Sequence, residues 1–103
     1  MSLDRALPPP TAITLVTAPG CHFCEDAHKT LTELTHRDPS LVLQLVEAAT
    51  PLGTALISAH RPAMNPLVLV DGRYFSAGRL PRRKLEALLS RRESVAAGGV
   101  RNG

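Results

Sequence analysis

The stretch that decides the fold is residues 12–24, which read Ala-Ile-Thr-Leu-Val-Thr-Ala-Pro-Gly-Cys-His-Phe-Cys. The first six residues form a β-rich run, and Ala18-Pro19-Gly20 ends it with residues that interrupt secondary structure. After Cys21 the apolar residues recur with the spacing of an amphipathic helix, at Phe23, Ala27, Leu31 and Leu34. The sequence therefore predicts a strand, a short break, and a helix that carries a Cys-x-x-C pair at its start.

The rest of the chain continues this alternation. Residues 41–46 are a second β-rich run, and Thr50-Pro51 has the form of a helix N-cap followed by a first-turn proline. Pro66 precedes an uninterrupted apolar strand at residues 67–70, Asp71-Gly72 suits a two-residue hairpin turn, and residues 73–76 form the return strand. A last helix is predicted to open at Pro81.

This order, β-α-β-α-β-β-α, predicts an α/β fold of three layers. The first β-α-β crossover requires parallel neighbours and the hairpin requires an antiparallel pair, so we expect a four-stranded mixed sheet with helices on both faces. A chain of 103 residues has the size of one domain. We expect that domain at residues 12–93, with a flexible N-terminal arm at 1–11 and a flexible tail at 94–103.

Composition excludes several classes of protein. Hydrophobic residues make up 44% and charged residues 20%, which is typical of a folded soluble domain. No apolar run approaches the roughly 18 residues of a membrane span, and the N-terminus does not resemble a secretory signal, so we predict a cytoplasmic protein with no membrane partner. The net charge of +3 reflects basic residues concentrated at 79–92. We interpret the basic residues at 79–92 as a solvated helix face. Aromatic residues make up only 3% of the chain and no nucleic-acid motif is present, so we expect no nucleic-acid partner.

The cysteine pair is suited to redox chemistry. A thiolate at Cys21 would be stabilised by the helix N-terminus, which lowers a cysteine pKa below its usual value of about 8.5. Cys24 lies one turn further on, within reach of a disulfide. A zinc site would need two further ligands, for which the candidates are His22, His28, His36 and His60. His28 and His36 are about 12 Å apart along the helix and cannot both bind one ion. His22 and His60 are not excluded, but no pair of histidines has the spacing typical of a zinc motif. We therefore predict no metal and no cofactor, with a zinc site and an inert cysteine pair as the disfavoured alternatives.

These features together resemble the thioredoxin/glutaredoxin superfamily: Pro19-Gly20-Cys21-His22-Phe23-Cys24 between strand and helix, Pro66 before an apolar strand, and Gly78 after the hairpin. The likeness covers about residues 12–92, and the segments at 65–72 and 78–81 are especially similar to small bacterial glutaredoxin-like redoxins. The resemblance implies that Cys21 is the nucleophile, Cys24 the resolving thiol, and Pro66 a cis-proline that faces the disulfide. Thioredoxins proper usually have a tryptophan before the motif and a buried acid in the first strand, and this chain has neither.

The residues expected to bind substrate surround the cysteines and the proline, and they are His22, Phe23, Asn65, Pro66 and Gly78. Two interpretations of His22 stay open: stabilisation of the Cys21 thiolate by charge, or an exposed side chain without catalytic effect. We also predict a cis bond before Pro66, since a proline leading into a central strand otherwise removes a hydrogen bond from the sheet without gain.

The sequence thus predicts a glutaredoxin-like dithiol-disulfide oxidoreductase, active in electron transport and cell redox homeostasis. Its partners would be a disulfide-containing protein or small-thiol substrate and a recycling thiol or reductase. The alternative left open is a non-catalytic module with the thioredoxin fold. Such a module would hold an iron-sulfur cluster between two copies, or dock a partner through the basic face at residues 79–92.

Overall fold

Strands and helices alternate in the predicted order in the computed structural model, which describes residues 10–98, with side chains described for 10–91. In chain order the elements are β1 (Thr11–Thr17), α1 (His22–Arg37), β2 (Leu41–Glu47), α2 (Pro51–His60), β3 (Leu67–Val70), β4 (Arg73–Ala77) and α3 (Arg82–Gly98). The predicted order β-α-β-α-β-β-α is confirmed.

The four strands form one mixed sheet in the order β2-β1-β3-β4. β1 pairs with β2 in parallel, as the intervening helix α1 requires. β3 pairs antiparallel with both β1 and β4. The α/β class and the mixed sheet are therefore as predicted, and β1 occupies a central position.

The hairpin between β3 and β4 turns at Asp71 and Gly72, whose φ angles are 52° and 82°. Positive φ at both residues is the geometry of the two-residue turn that Asp-Gly favours. The side chain of Asp71 also accepts a hydrogen bond from the backbone N–H of Ala12 at 2.9 Å, which ties the turn to β1. In β4 the register shifts, so that Val68 faces Ser76 and Leu69 faces Tyr74.

The register shift leaves Phe75 without a partner of its own in β3 and forms a β-bulge. Phe75 is buried, whereas Tyr74 is 52% exposed. Neighbouring residues of a strand point to opposite faces, so the sequence predicts that one of these two aromatic residues belongs to the core, and this prediction is confirmed.

Helix α2 covers one face of the sheet at the ends of the strands. Leu56 and Ile57 pack there against a buried cluster formed by Val16, Val46, Leu67 and Leu69. Thr50 is the N-cap as predicted, and its hydroxyl accepts a hydrogen bond from the N–H of Gly53 at 3.1 Å. The apolar periodicity of this helix predicts that Leu52, Leu56, Ile57 and Ala59 form its buried side. For Leu52 and Ala59 this prediction is wrong, because both are exposed while Gly53 is buried.

Helix α1 contacts β1 and β2 from the other face of the sheet. Ile13 and Leu15 alternate with Val16 along β1 and are fully buried on that face. The buried residues of α1 are Cys24, Ala27, Thr30 and Leu31. Phe23, which we had placed on the same apolar stripe, is 42% exposed. Its direction around the helix lies among those of the buried residues, but it is the second residue of α1 and belongs to the first turn, at the end of the helix.

Helix α3 begins one residue after Pro81, whose carbonyl accepts a hydrogen bond from the N–H of Leu85 at 3.0 Å. It continues to Gly98, so residues 94–98 of the predicted tail are helical. At the other end, Thr11 belongs to β1 rather than to the arm. Residues 1–9 and 99–103 of the predicted arm and tail lie outside the described residues. None of the helices described is long and apolar enough to span a bilayer.

Candidate functional site

The sheet register brings three loops to one end of the sheet. Val16 pairs with Leu67, so the C-terminal end of β1 lies beside the start of β3. Leu67 in turn pairs with Ala77, which puts the end of β4 at the same edge. The loop that leads to Cys21, the residues around Pro66, and Gly78 therefore meet at this end, although up to 57 residues separate them in the sequence.

Cys21 and Cys24 are joined by a disulfide, with their Cα atoms 5.1 Å apart. Cys21 is the N-cap of α1, and its sulfur accepts a hydrogen bond from the backbone N–H of Cys24 at 3.1 Å. A sulfur atom in this position faces N–H groups that have no partner within the helix, which favours negative charge on it. The expected placement of the pair at the start of the helix is confirmed.

The two cysteines differ in accessibility. Cys24 is only 3% exposed, whereas Cys21 is half-buried and follows the exposed residues Pro19 and Gly20. A substrate disulfide approaching from solvent therefore meets the sulfur of Cys21 more readily than that of Cys24. Cys21 is therefore the more accessible of the two cysteines.

Pro66 forms the second side of the candidate site. The Asn65–Pro66 peptide bond is cis, as predicted. Pro66 is buried, and its carbonyl accepts a hydrogen bond from the N–H of Gly78 at 2.9 Å. Pro66 and Gly78, two of the predicted substrate-binding residues, are thereby held together, and Asn65 beside them is half-buried.

Met64 precedes Asn65, and the sequence allows two interpretations of this pair: backbone pairing with an extended substrate, or a loop without a role in binding. Its side chain was not among the predicted substrate-binding residues. Its Cγ and Sδ atoms each lie 2.9 Å from the point where a Cβ on Gly78 would stand. Gly78 has a φ of 86°, which disfavours any side chain at that position. The thioether thus occupies the space above the glycine. Its position two residues before Pro66 can be read from the sequence. Its contact with Gly78 cannot, because that contact depends on the tertiary structure.

His22 and Phe23, the two residues between the cysteines, are both exposed. Phe23 is 42% exposed and Met64 is 51% exposed, so this end of the sheet presents two large apolar side chains to solvent. Glu25 adds a negative charge in the first turn of α1, where the helix N-terminus stabilises it. Among the residues that the structure describes, no group of three or more histidine, cysteine, aspartate or glutamate side chains is arranged to hold a metal ion.

Comparison with solved structures identifies thioredoxins as similar in fold. Chloroplastic thioredoxin z has a TM-score of 0.66 at 16% identity, over 90% of this chain and 88% of that one. Thioredoxin f2 of Chlamydomonas reinhardtii has a TM-score of 0.62 at 14% identity, over 81% and 79%. Thioredoxin of Fasciola hepatica has a TM-score of 0.60 at 16% identity, over 88% and 86%.

These similarities show that the chain has a thioredoxin-like fold, with a Cys-x-x-C pair at disulfide distance. The predicted fold class is confirmed. No protein-family model and no curated protein sequence matches the chain.

Proposed function

We propose that this protein is a glutaredoxin-like dithiol-disulfide oxidoreductase that reduces protein or low-molecular-weight disulfides. The observation that carries the proposal is the pair formed by half-buried Cys21, capping α1 with its sulfur, and buried Cys24 within disulfide distance. An inert structural disulfide would gain nothing from a position at a helix N-terminus beside exposed residues. A redox pair benefits from that position, because the thiolate is the reactive form and a helix N-terminus stabilises it.

In the proposed reaction, the Cys21 thiolate attacks one sulfur of the substrate disulfide. The substrate S–S bond breaks, a mixed disulfide with Cys21 forms, and the first substrate thiolate leaves. Cys24, deprotonated in turn, attacks the Cys21 sulfur and displaces the second substrate thiolate. Two electrons have then passed from the dithiol to the substrate, and the protein holds the intramolecular disulfide.

The remaining predicted site residues hold the substrate in this proposal. His22 and Phe23 flank the reacting sulfur on the helix side, and both are exposed. Asn65, Pro66 and Gly78 line the other side, where the Pro66–Gly78 hydrogen bond keeps two chain segments together. Once the dithiol has been oxidised, no other residue of the motif can reduce the intramolecular disulfide, so a separate thiol or reductase recycles the protein. We place this activity in the cytoplasm, where such reductants maintain thiols.

A stoichiometric transfer experiment tests the proposal. The protein is reduced, freed of reductant under argon, and mixed with an excess of a peptide disulfide. We expect loss of both protein thiols with formation of one peptide dithiol per chain, and turnover once glutathione or an NADPH-dependent thioredoxin reductase is added. The Cys21→Ser variant serves as the matched control and should transfer nothing. Wild-type protein that keeps both thiols in the presence of the peptide disulfide would exclude the enzyme and favour a non-catalytic binding module.

A further inference from the structure

Met64 is an exposed residue whose thioether rests against Gly78. The side chain is 51% exposed. Its Sδ and Cγ atoms rest in the space that a side chain on Gly78 would fill, and Cε lies 3.7 Å from the same point. Because Gly78 donates its N–H to the carbonyl of Pro66, the surface beneath the thioether is the backbone of the candidate substrate site.

Met64 also carries the sulfur that stays oxidisable when the cysteines are protected. The chain has two cysteines and two methionines, and the other methionine is Met1. In the oxidised protein both cysteine sulfurs are in the disulfide. Among the described residues, the thioether of Met64 is then the remaining sulfur that a peroxide converts readily to a stable product, the sulfoxide.

We propose that Met64 is an oxidation site, and that its conversion to the sulfoxide weakens binding of substrates whose disulfide lies next to apolar residues. This inference rests on the proposed function. In the step itself, hydrogen peroxide transfers one oxygen atom to Sδ. The O–O bond breaks, a sulfur–oxygen bond forms, the sulfur loses two electrons, and the peroxide becomes water.

The effect on binding follows from the contact with Gly78. The sulfur rests against Gly78, and Met64 as a whole is 51% exposed, so the new oxygen either points away from the glycine or forces the side chain off it. In both cases a polar acceptor replaces an apolar surface beside Pro66. An apolar substrate side chain that packed there loses its contact and has to desolvate the sulfoxide, whereas a small hydrophilic disulfide does not.

The inference is tested on the full chain in its disulfide form. The protein is treated with hydrogen peroxide, the peroxide is removed with catalase, and peptide mass spectrometry measures oxygen uptake at Met64. Dithiothreitol, which restores the dithiol and leaves the sulfoxide, then precedes steady-state assays. One substrate is a peptide disulfide flanked by leucine and the other is a small hydrophilic disulfide. We expect an increase of about fivefold in KM for the leucine peptide with kcat preserved, and no change for the hydrophilic disulfide.

Two variants separate this effect from general damage. Met64→Leu has no oxidisable sulfur at this position, so its kinetic constants should be the same before and after peroxide treatment. Met64→Gln places a polar group there and should raise KM for the leucine peptide without peroxide. Oxygen uptake at Met64 with unchanged KM, or a peroxide effect that persists in Met64→Leu, would overturn the inference while the proposed function stands. Untreated protein that turns over neither substrate would overturn the proposed function and this inference with it.

Discussion

The sulfur of Cys21 accepts a hydrogen bond from the backbone N–H of Cys24 at 3.1 Å, so these two residues are linked by a helix cap as well as by a disulfide. The N–H belongs to the first turn of α1 and does not depend on the disulfide for its orientation. We expect it to stay directed at the Cys21 sulfur after reduction. The cap would then stabilise the Cys21 thiolate and leave the Cys24 thiol, which is buried, without that benefit.

In the reduced protein, Cys21 should react with iodoacetamide faster than Cys24. The helix cap favours the thiolate of Cys21, which is the form that the reagent alkylates, and Cys24 is buried. Peptide mapping after short exposure to the reagent ranks the two sites, and Cys24→Ser gives the pH profile of Cys21 alone. Preferential alkylation of Cys24 would reverse the roles assigned to the two thiols.

The Cys24→Ser variant should accumulate mixed disulfides. It retains the nucleophile but loses the intramolecular thiol, which is held at a high effective concentration and releases the substrate. After expression in cells, mass spectrometry of the trapped adducts would distinguish protein substrates from small thiols. Cys21→Ser, treated in the same way, should trap neither. Absence of adducts in Cys24→Ser, together with variants that behave like wild type in disulfide reduction, would favour the non-catalytic alternative.

Substitution of Gly53 by alanine should destabilise the fold by about 3 kcal/mol. A Cβ at this position would collide with the carbonyl oxygen of Glu47 and the backbone of Ala48, and neither can move without disrupting the end of β2. This steric cost exceeds the gain of about 1 kcal/mol that alanine brings to a helix interior. Urea unfolding of the disulfide form measures the difference in the free energy of unfolding between the variant and wild type. Ser58→Ala, at an exposed position of α2, is the control. Equal stability of Gly53→Ala and wild type would show that α2 does not approach β2 this closely.

Removal of the Ser76 hydroxyl should stabilise the protein by about 1 kcal/mol. Ser76 is 8% exposed, and its Oγ has no hydrogen-bond partner within the described part of the chain. Alanine at this position therefore removes an unsatisfied buried group. Ser40 provides the opposite case, because its Oγ donates to the Asp38 carboxylate at 2.7 Å. Ser40→Ala should lower the free energy of unfolding, and a loss of stability in Ser76→Ala would reveal a partner for its hydroxyl.

The local features of the fold could be predicted from the sequence because each depends on a few neighbouring residues. Asp71 and Gly72 tolerate the positive φ angles of a two-residue turn, and Thr50 satisfies an N–H at the start of a helix wherever that helix packs. The position of Cys21 at the start of α1 follows likewise from the break before it and the apolar period after it. These effects are steric or involve hydrogen bonds within one turn, so the surrounding tertiary structure does not change them.

Only the tertiary structure decided which apolar side chains are buried and which chain segments meet. Periodicity placed Phe23 and Leu52 on buried faces, but each is the second residue of its helix and is exposed there. The antiparallel pairing of β1 with β3 brings Pro66 to the same end of the sheet as Cys21, and the space above Gly78 admits Met64. Such contacts join residues far apart in the sequence. They depend on how whole elements pack, which short-range patterns of residues do not encode.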